Sequence, residues 1–375
     1  METRIKTSQL TYLLLCHLEE TSVITQHADS LIALFFHGVK DTEATVVKNM
    51  CRAARIYGYF VPPKDWIPMV SQRLLAQASE TDLMVLSHII IGSNPQLLRG
   101  ELEDLAITLQ DDSVALTLND SHLDNLLECA RAILEVSQKD CNSISSYLFK
   151  IAITADGLSM NLEIQDAANE FLDMLASVLE ISRIDLFKKE LGPALKSMKL
   201  ECEDWTANSF RVNVFAKILN RSGTASGFYP DLIISIFHDV LNKEVEPELQ
   251  LKMFLTLSKL LYDVKNALDS QNEFKQFVLK LVLVLILPAL KWKSGRKCEA
   301  VRIAATSSLW SVFNSGSLEP KDLWNTNLAT KLIPSMNRLL EDDAVRIRVF
   351  VCQVIFVKLE FFFVKSLTTF LETKS

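Results

Sequence analysis

Apolar residues recur along almost the whole chain with the spacing of one face of a helix. The segments 47–58, 251–262 and 301–313 each place small or apolar side chains at positions i, i+3, i+4 and i+7. No comparable run shows the strict alternation of apolar and polar residues that predicts a half-buried strand. The pattern therefore predicts an all-α protein.

The helical stripes come in pairs that are separated by short acidic turns. The second stripe of a pair begins with an apolar and a basic residue, as in EAVR at 299–302. Arg211, Lys252, Arg302 and Arg348 mark four such starts, at intervals of 41, 50 and 46 residues, and Lys48 marks an earlier one. HEAT and armadillo repeats have periods of about 40–47 residues. The predicted fold is an α-solenoid of HEAT/armadillo-like helix pairs, an α–α superhelix.

The predicted map is one continuous solenoid over 1–355, with roughly eight helix pairs and a divergent tail at 356–375. First helices are expected near 21–38, 64–78, 94–109, 141–155, 184–199, 227–242, 271–292 and 321–340. Second helices are expected near 43–60, 80–92, 121–137, 160–180, 205–221, 247–264, 297–314 and 344–358. The segment 4–18 is predicted to be a leftover second helix, and 222–227 (SGTASG) is predicted to be the most flexible connector.

Composition narrows the class of protein. The 375 residues are 49% hydrophobic and 23% charged, which is too apolar for disorder, and the net charge of −7 argues weakly against a general nucleic-acid binder. The apolar run 281–287 is too short to span a bilayer. The seven cysteines are scattered without a C-x-x-C pair, so we expect small core residues in a reducing cytosol.

Candidate chemistry is sparse. The chain has no phosphate-binding glycine loop, and 223–227 is not a nucleophile elbow because Ser226 adjoins its second glycine. The histidines have no metal-ligand spacing. The carboxylates Glu101, Glu103, Asp104, Asp111 and Asp112 are expected on solvated faces or in loops. The basic cluster 291–297 is expected in an exposed loop, although it could contact an acidic partner or a nucleic-acid backbone. We therefore predict no catalytic, cofactor-binding or metal-binding residues and no cofactor.

Three further expectations concern packing. The turn and helix-start residues Asp204, Arg211, Asp343 and Arg348 should bond between neighbouring repeats as architecture. Trp310 should be largely buried. The segment 1–18 should expose a face that a preceding repeat would cover, and such faces invite association.

Several stretches resemble the HEAT-repeat dynein axonemal assembly factors. They are ETRIKTSQLTYLLL (2–15), DWTANS (204–209), LQLKMFLTLSKLL (249–261), ILPALKW (286–292) and VRIAATSSLW (301–310). In combination and order they are specific, and they cover most of the chain to about residue 355. The family is longer, with repeats before residue 2, and the tail beyond about 356 no longer resembles it.

The resemblance implies a cytoplasmic, non-enzymatic scaffold that helps preassemble outer and inner axonemal dynein arms for motile cilia. Its partners would be axonemal dynein intermediate and heavy chains, other assembly factors and chaperones, without nucleic acid or membrane. No catalytic residues carry over. Two other readings of a HEAT stack stay open, a transport adaptor of the karyopherin or coatomer type and a phosphatase-scaffold-like regulatory subunit.

Overall fold

The computed structural model confirms the all-α prediction. It describes residues 1–18, 21–242, 246–263, 272–291, 295–314, 318 and 328–355. Every regular element within these ranges is helical, and none of them contains a strand. No helix among these residues combines the length and the apolar character needed to cross a bilayer.

The first compact unit comprises Met1–Leu186. Its main helices are α1 (Glu2–His17), α2 (Ala28–Gly38), α3 (Ala44–Phe60), α4 (Pro63–Gln77), α5 (Glu80–Gly92), α6 (Leu102–Gln110), α7 (Asp120–Ser137), α8 (Ser145–Leu158) and α9 (Leu162–Val178). Short helices cover Thr21–Gln26, Pro95–Leu98 and Asp112–Ala115, with 3-10 turns at Arg99–Glu101 and Gln138–Ile144.

The second compact unit begins at Phe187. Its main helices are α10 (Arg183–Glu201, which starts in the first unit), α11 (Phe210–Ser222), α12 (Pro230–Asn242), α13 (Pro247–Asp263), α14 (Asn272–Leu281), α15 (Arg296–Asn314), α16 (Leu328–Leu339) and α17 (345–355). A π-helix covers Val282–Ile286 and is followed by the short helix Leu287–Ala289. With the chain in two units, the continuity of the solenoid over 1–355 stays a prediction.

Helices of the first unit form two layers. The helices α1, α3, α5, α7 and α9 pack side by side in chain order, and we call them the second-helix layer. The helices α2, α4, α6 and α8 follow one another in the other layer, with α2 on α3 and α8 on both α7 and α9. In the second unit, α11, α13 and α15 pack in the same chain order. This pairing confirms the HEAT-type arrangement that the period predicts.

Three predicted elements differ locally. The predicted helix 94–109 is broken by a 3-10 turn around Gly100, a residue that weakens helices. The helix predicted from 205 begins at Phe210, because the Ser209 hydroxyl accepts from the Thr206 amide at 2.8 Å and holds a turn. The connector 222–227 is not an open linker, since Gly223 (φ +50°) ends α11 and a 3-10 helix follows.

Neighbouring second helices approach within backbone contact. A Cβ atom on Gly92 of α5 would lie 1.8 Å from the Arg55 carbonyl oxygen of α3. One on Gly58 of α3 would lie 2.1 Å from the Ile89 carbonyl oxygen of α5. Neither distance is possible for real atoms, so glycine is required at both positions for the helices to pack this closely.

Hydrogen bonds between repeats join a turn to the start of the preceding second helix. Asp41, in the turn before α3, accepts from the Glu43 amide and from Arg4 of α1, 37 residues away. Asp342, in the turn before α17, likewise accepts from the Ala344 amide and from Arg302 of α15, 40 residues away. These separations are about one repeat, so the bonds fix the stacking register. The Arg302–Asp342 pair is buried and the Arg4 side is exposed.

The packing predictions for Trp310 and for the cysteines hold only in part. The exposure of Trp310 is intermediate, as is that of Ile303, Ser307 and Asn314 on the same side of α15, so most but not all of its surface is buried. Trp66 of α4 is fully buried, and Trp205 is 4% exposed. The cysteines are not all core residues either, since Cys51, Cys129, Cys141 and Cys202 are buried, Cys298 is intermediate, and Cys16 and Cys352 are exposed.

Replacing Gly92 with alanine should destabilise the protein although alanine is the better helix former. An added methyl group in an exposed helix would stabilise by up to about 1 kcal/mol, whereas overpacking costs about 1–3 kcal/mol. We therefore expect Gly92→Ala to lower the free energy of unfolding, measured in urea. The matched control is Gly100→Ala, where a Cβ atom meets nothing within 4 Å. An equal effect of both variants would contradict the close approach.

Replacing Arg302 should lower the free energy of unfolding far more than replacing Arg4, although both arginines pair with an aspartate of the following turn. Arg302→Met leaves the buried Asp342 carboxylate without its cation, a loss of about 3–5 kcal/mol. Arg4→Met breaks an exposed pair and should cost less than about 1 kcal/mol. Chemical denaturation of the two variants checks this. Similar losses would show that burial does not set the strength of these bonds.

Candidate interaction surface

The histidines are dispersed through the fold. His17, His27, His37 and His238 are exposed, and the buried His122 places Nε2 at 2.8 Å from the Val114 carbonyl oxygen. Within the described ranges, no group of three or more His, Cys, Asp or Glu side chains could hold a metal ion.

The paired carboxylates are engaged in local structure or solvated. Glu103 and Asp104 are exposed in the first turn of α6, and Glu101 is half-buried beside them. Asp111 accepts from the Ser113 hydroxyl at 2.6 Å and from its amide at 2.9 Å. These bonds hold the pKa of Asp111 below its usual value, which is the opposite of what a general acid requires.

The remaining candidate motifs also have structural roles or lie apart. The Ser226 hydroxyl is buried and donates to the Gly223 carbonyl oxygen at 2.8 Å, so it is not poised as a nucleophile. In the basic cluster 291–297, Lys297 pairs with Glu248 at 3.1 Å and Lys291 is exposed. Residues 292–294 of that cluster lie outside the described ranges.

Two of the turn and helix-start residues, Arg211 and Arg348, make structural bonds in the described ranges. Arg211 pairs with Glu201 at 2.7 Å, and Asp204 is exposed. Arg348 donates to the carbonyl oxygens of Asp342 and Asp343, at 2.6 and 3.2 Å. The carboxylate that bonds to the preceding repeat is that of Asp342. The same side chain also caps the following helix.

Charge is unevenly distributed over the outward face of the second-helix layer. Lys48, Arg52 and Arg55 of α3 are exposed at i, i+4 and i+7, and we call them the cationic stripe. None of the three has an ion-pair partner among the described residues. Sequence reasoning missed this stripe, although its helical spacing between the apolar positions of 47–58 is visible in the sequence.

The sign of the charge reverses across the same layer. On α7, Asp124 and Glu135 are exposed without a cationic partner in the described part of the chain. On α9, Glu163, Asp166 and Glu170 are likewise exposed and unpaired there. The layer therefore presents a basic helix α3 and acidic helices α7 and α9 on one continuous surface.

His88 of α5 lies between the two regions. Burial and then the positive charge of Arg55 hold the pKa of His88 below its usual value, while Glu128 of α7 acts against them. The imidazole thus experiences the positive charge of Arg55 on α3 and the negative charge of Glu128 on α7.

The exposed side of α1 carries an apolar patch. Leu10, Leu13 and Leu14 are 56%, 48% and 55% exposed. As expected from the sequence, one face of α1 packs on α3 and the opposite face is open. The self-association that this face invites stays a prediction.

The helix pairs, their period and the bonds between successive pairs define a HEAT-repeat α-solenoid. Residues 1–159 match the family model described as Dynein axonemal assembly factor 5, HEAT-repeat domain. The resemblance to the HEAT-repeat dynein axonemal assembly factors is thereby confirmed over residues 1–159.

Known relatives extend the likeness beyond this domain. The chain is 30% identical over 355 residues to human dynein axonemal assembly factor 5, covering 94% of this chain and 41% of the relative. It is 29% identical over 360 residues to the Xenopus laevis protein of that name, covering 94% and 42%. The chain therefore spans about two fifths of the length of these relatives.

Among solved structures, a crystal structure of Kap121p bound to Ste12p shares 13% identity, with a TM-score of 0.48. The match covers 92% of this chain and 37% of the other. A likeness at this level does not by itself establish a common fold or function.

Protonation of His88 should weaken the folded state. Because its pKa is lower when folded, the unfolded chain binds more protons, and stability falls as the pH drops below about 6.5. We expect His88→Gln to lose less unfolding free energy than the wild type between about pH 7 and pH 5. Parallel urea titrations at both pH values measure the difference, with His27→Gln as an exposed control. Identical pH slopes for wild type and His88→Gln would show that His88 titrates normally.

Proposed function

We propose that this protein is a non-enzymatic scaffold for the cytoplasmic preassembly of outer and inner axonemal dynein arms, a step that motile cilia need. The observation that carries the proposal is the match to dynein axonemal assembly factor 5 over 94% of the chain. The name of those relatives supports a role in dynein assembly. The HEAT-type stack supports a role based on exposed surface.

The architecture suits the handling of large partners. Each repeat touches mainly its neighbours, so a stack offers a long surface instead of one deep cleft. Several weak sites on such a surface can bind tightly together, because each later contact forms at a high effective concentration. Unpaired charges on the second-helix layer are available for contacts of this kind. The proposed partners are dynein intermediate and heavy chains, with chaperones and other assembly factors.

The hydrogen bonds and pKa values of the candidate groups agree with a non-catalytic role. The Ser226 hydroxyl is bonded within its 3-10 helix, and hydrogen bonds lower the pKa of Asp111. Burial raises the pKa of Cys51 to about 11, so its thiol is protonated at neutral pH and is a poor nucleophile. These groups contribute to the fold, so we attribute the function to the outer surface.

Affinity purification from multiciliating cells tests the proposal. The tagged chain should enrich axonemal dynein intermediate or heavy chains in the cytoplasm, as identified by mass spectrometry, although more weakly than a chain with the full length of the relatives. A karyopherin with the same tag controls for general binding to helical solenoids. Cells that lack the protein should have axonemes without outer and inner dynein arms.

Two outcomes would overturn the assignment. Normal dynein arms in cells without the protein would remove the assembly role. Purification only of transport GTPases, or of a phosphatase catalytic subunit, would favour the adaptor or the regulatory reading instead.

A further inference from the structure

A row of three unpaired cations on one helix face sets α3 apart within the described part of the first unit. Arg4, Arg73 and Arg99 each pair with an aspartate at 2.5–3.0 Å. The cationic stripe has no such partner in the described ranges, although the protein as a whole carries a net charge of −7. Three neighbouring cations without counter-charges repel one another, and an external anion would relieve that repulsion.

Aromatic side chains border the cationic stripe. The guanidinium carbon of Arg52 lies 6.0 Å from the centre of the Tyr12 ring of α1. Tyr59 follows Arg55 by one helical turn on the same face of α3 and is 70% exposed. Arginine and tyrosine together are typical of the residues that dominate binding energy at protein interfaces.

The size of the stripe limits what can bind. Lys48 and Arg55 are seven residues apart on a helix, a distance of about 10 Å. An extended peptide covers that distance with about three residues. A long polyanion that extends across the layer towards α7 and α9 would meet exposed carboxylates, which would repel it. The surface therefore suits a short acidic segment better than a nucleic acid.

We propose that the cationic stripe Lys48, Arg52 and Arg55 docks a short acidic segment of a partner protein, with an apolar or aromatic residue of that segment against Tyr59. Carboxylates of the segment lie on the three cations, and the acidic helices α7 and α9 limit its extent. The site rests on the proposed scaffold function only in taking a protein segment as its ligand. It does not require that the partner be a dynein chain.

Fluorescence anisotropy with a synthetic peptide tests the site on the whole chain. The probe is a fluorescein-labelled peptide of alternating glutamate and serine with one central tryptophan, and its charge-reversed form carries lysine for glutamate. We expect the wild type to bind the acidic probe through the cationic stripe, whereas any binding of the lysine form to the acidic helices α7 and α9 should not change when the stripe is removed. Binding should weaken between about 50 and 150 mM salt, because exposed charges are screened.

Charge-removing variants locate the contact. The combined variant Lys48→Gln, Arg52→Gln and Arg55→Gln should lose at least about tenfold in affinity for the acidic probe. The matched control Lys64→Gln, Arg99→Gln and Lys139→Gln makes the same change of net charge at exposed positions outside the stripe. That control should bind as the wild type does. All substituted residues are exposed, and circular dichroism confirms that both variants are folded.

Three results would overturn the inference. The first is no measurable binding of the acidic probe by the wild type at about 50 mM salt. The second is an equal loss of affinity, or no loss, in both variants. The third is tighter binding of a single-stranded RNA oligonucleotide than of the acidic probe, which would indicate a general polyanion site. Because the probe is synthetic, each of these results leaves the dynein-assembly proposal standing, and that proposal can fail while the peptide still binds.

Discussion

Close approach of neighbouring second helices is the constraint on which the rest of the structure depends. Gly58 and Gly92 allow α3 and α5 to meet at backbone distance, where any larger side chain would overlap a carbonyl group. Helices packed this closely leave little freedom to slide. The bonds from Asp41 to Arg4 and from Asp342 to Arg302 then fix the register, because each joins residues one repeat apart. Stability is thus built from repeated local interfaces instead of one central core.

That construction separates the residues that hold the fold from those available for binding. Each second helix uses its apolar stripe and its turn residues for stacking, and its outward stripe is free to vary. On α3 the outward stripe is basic, whereas on α7 and α9 it is acidic. Neighbouring helices can therefore differ in charge without any change in their packing. A surface with such differences can distinguish partners by electrostatic complementarity, which acts mainly on specificity and on the rate of association.

Resemblance to the dynein axonemal assembly factors agrees with a protein whose function lies in its surface. Candidate groups for acid, base or nucleophilic chemistry are bonded into turns and caps, as Ser226 and Asp111 illustrate. Holding incomplete complexes together requires many contacts that can form and release, and exposed charge pairs are individually weak. Combined along a stack, such contacts become strong through effective concentration. The same physics explains how one fold can serve assembly, transport and regulation in different proteins.

The sequence by itself determined the helices and their pairing, because the stripe of period 3.6 and the turn residues between stripes are local signals. Most predicted boundaries agree with the observed helices within a few residues. Tertiary structure alone decided which residues meet across repeats, since those bonds join positions 37 or 40 residues apart. Asp342 and not Asp343 reaches Arg302, and Trp310 lies one position off the buried stripe, because helix rotation in the stack sets which side faces inward. The charge reversal from α3 to α9 also exists only after stacking, which brings helices distant in sequence onto one surface.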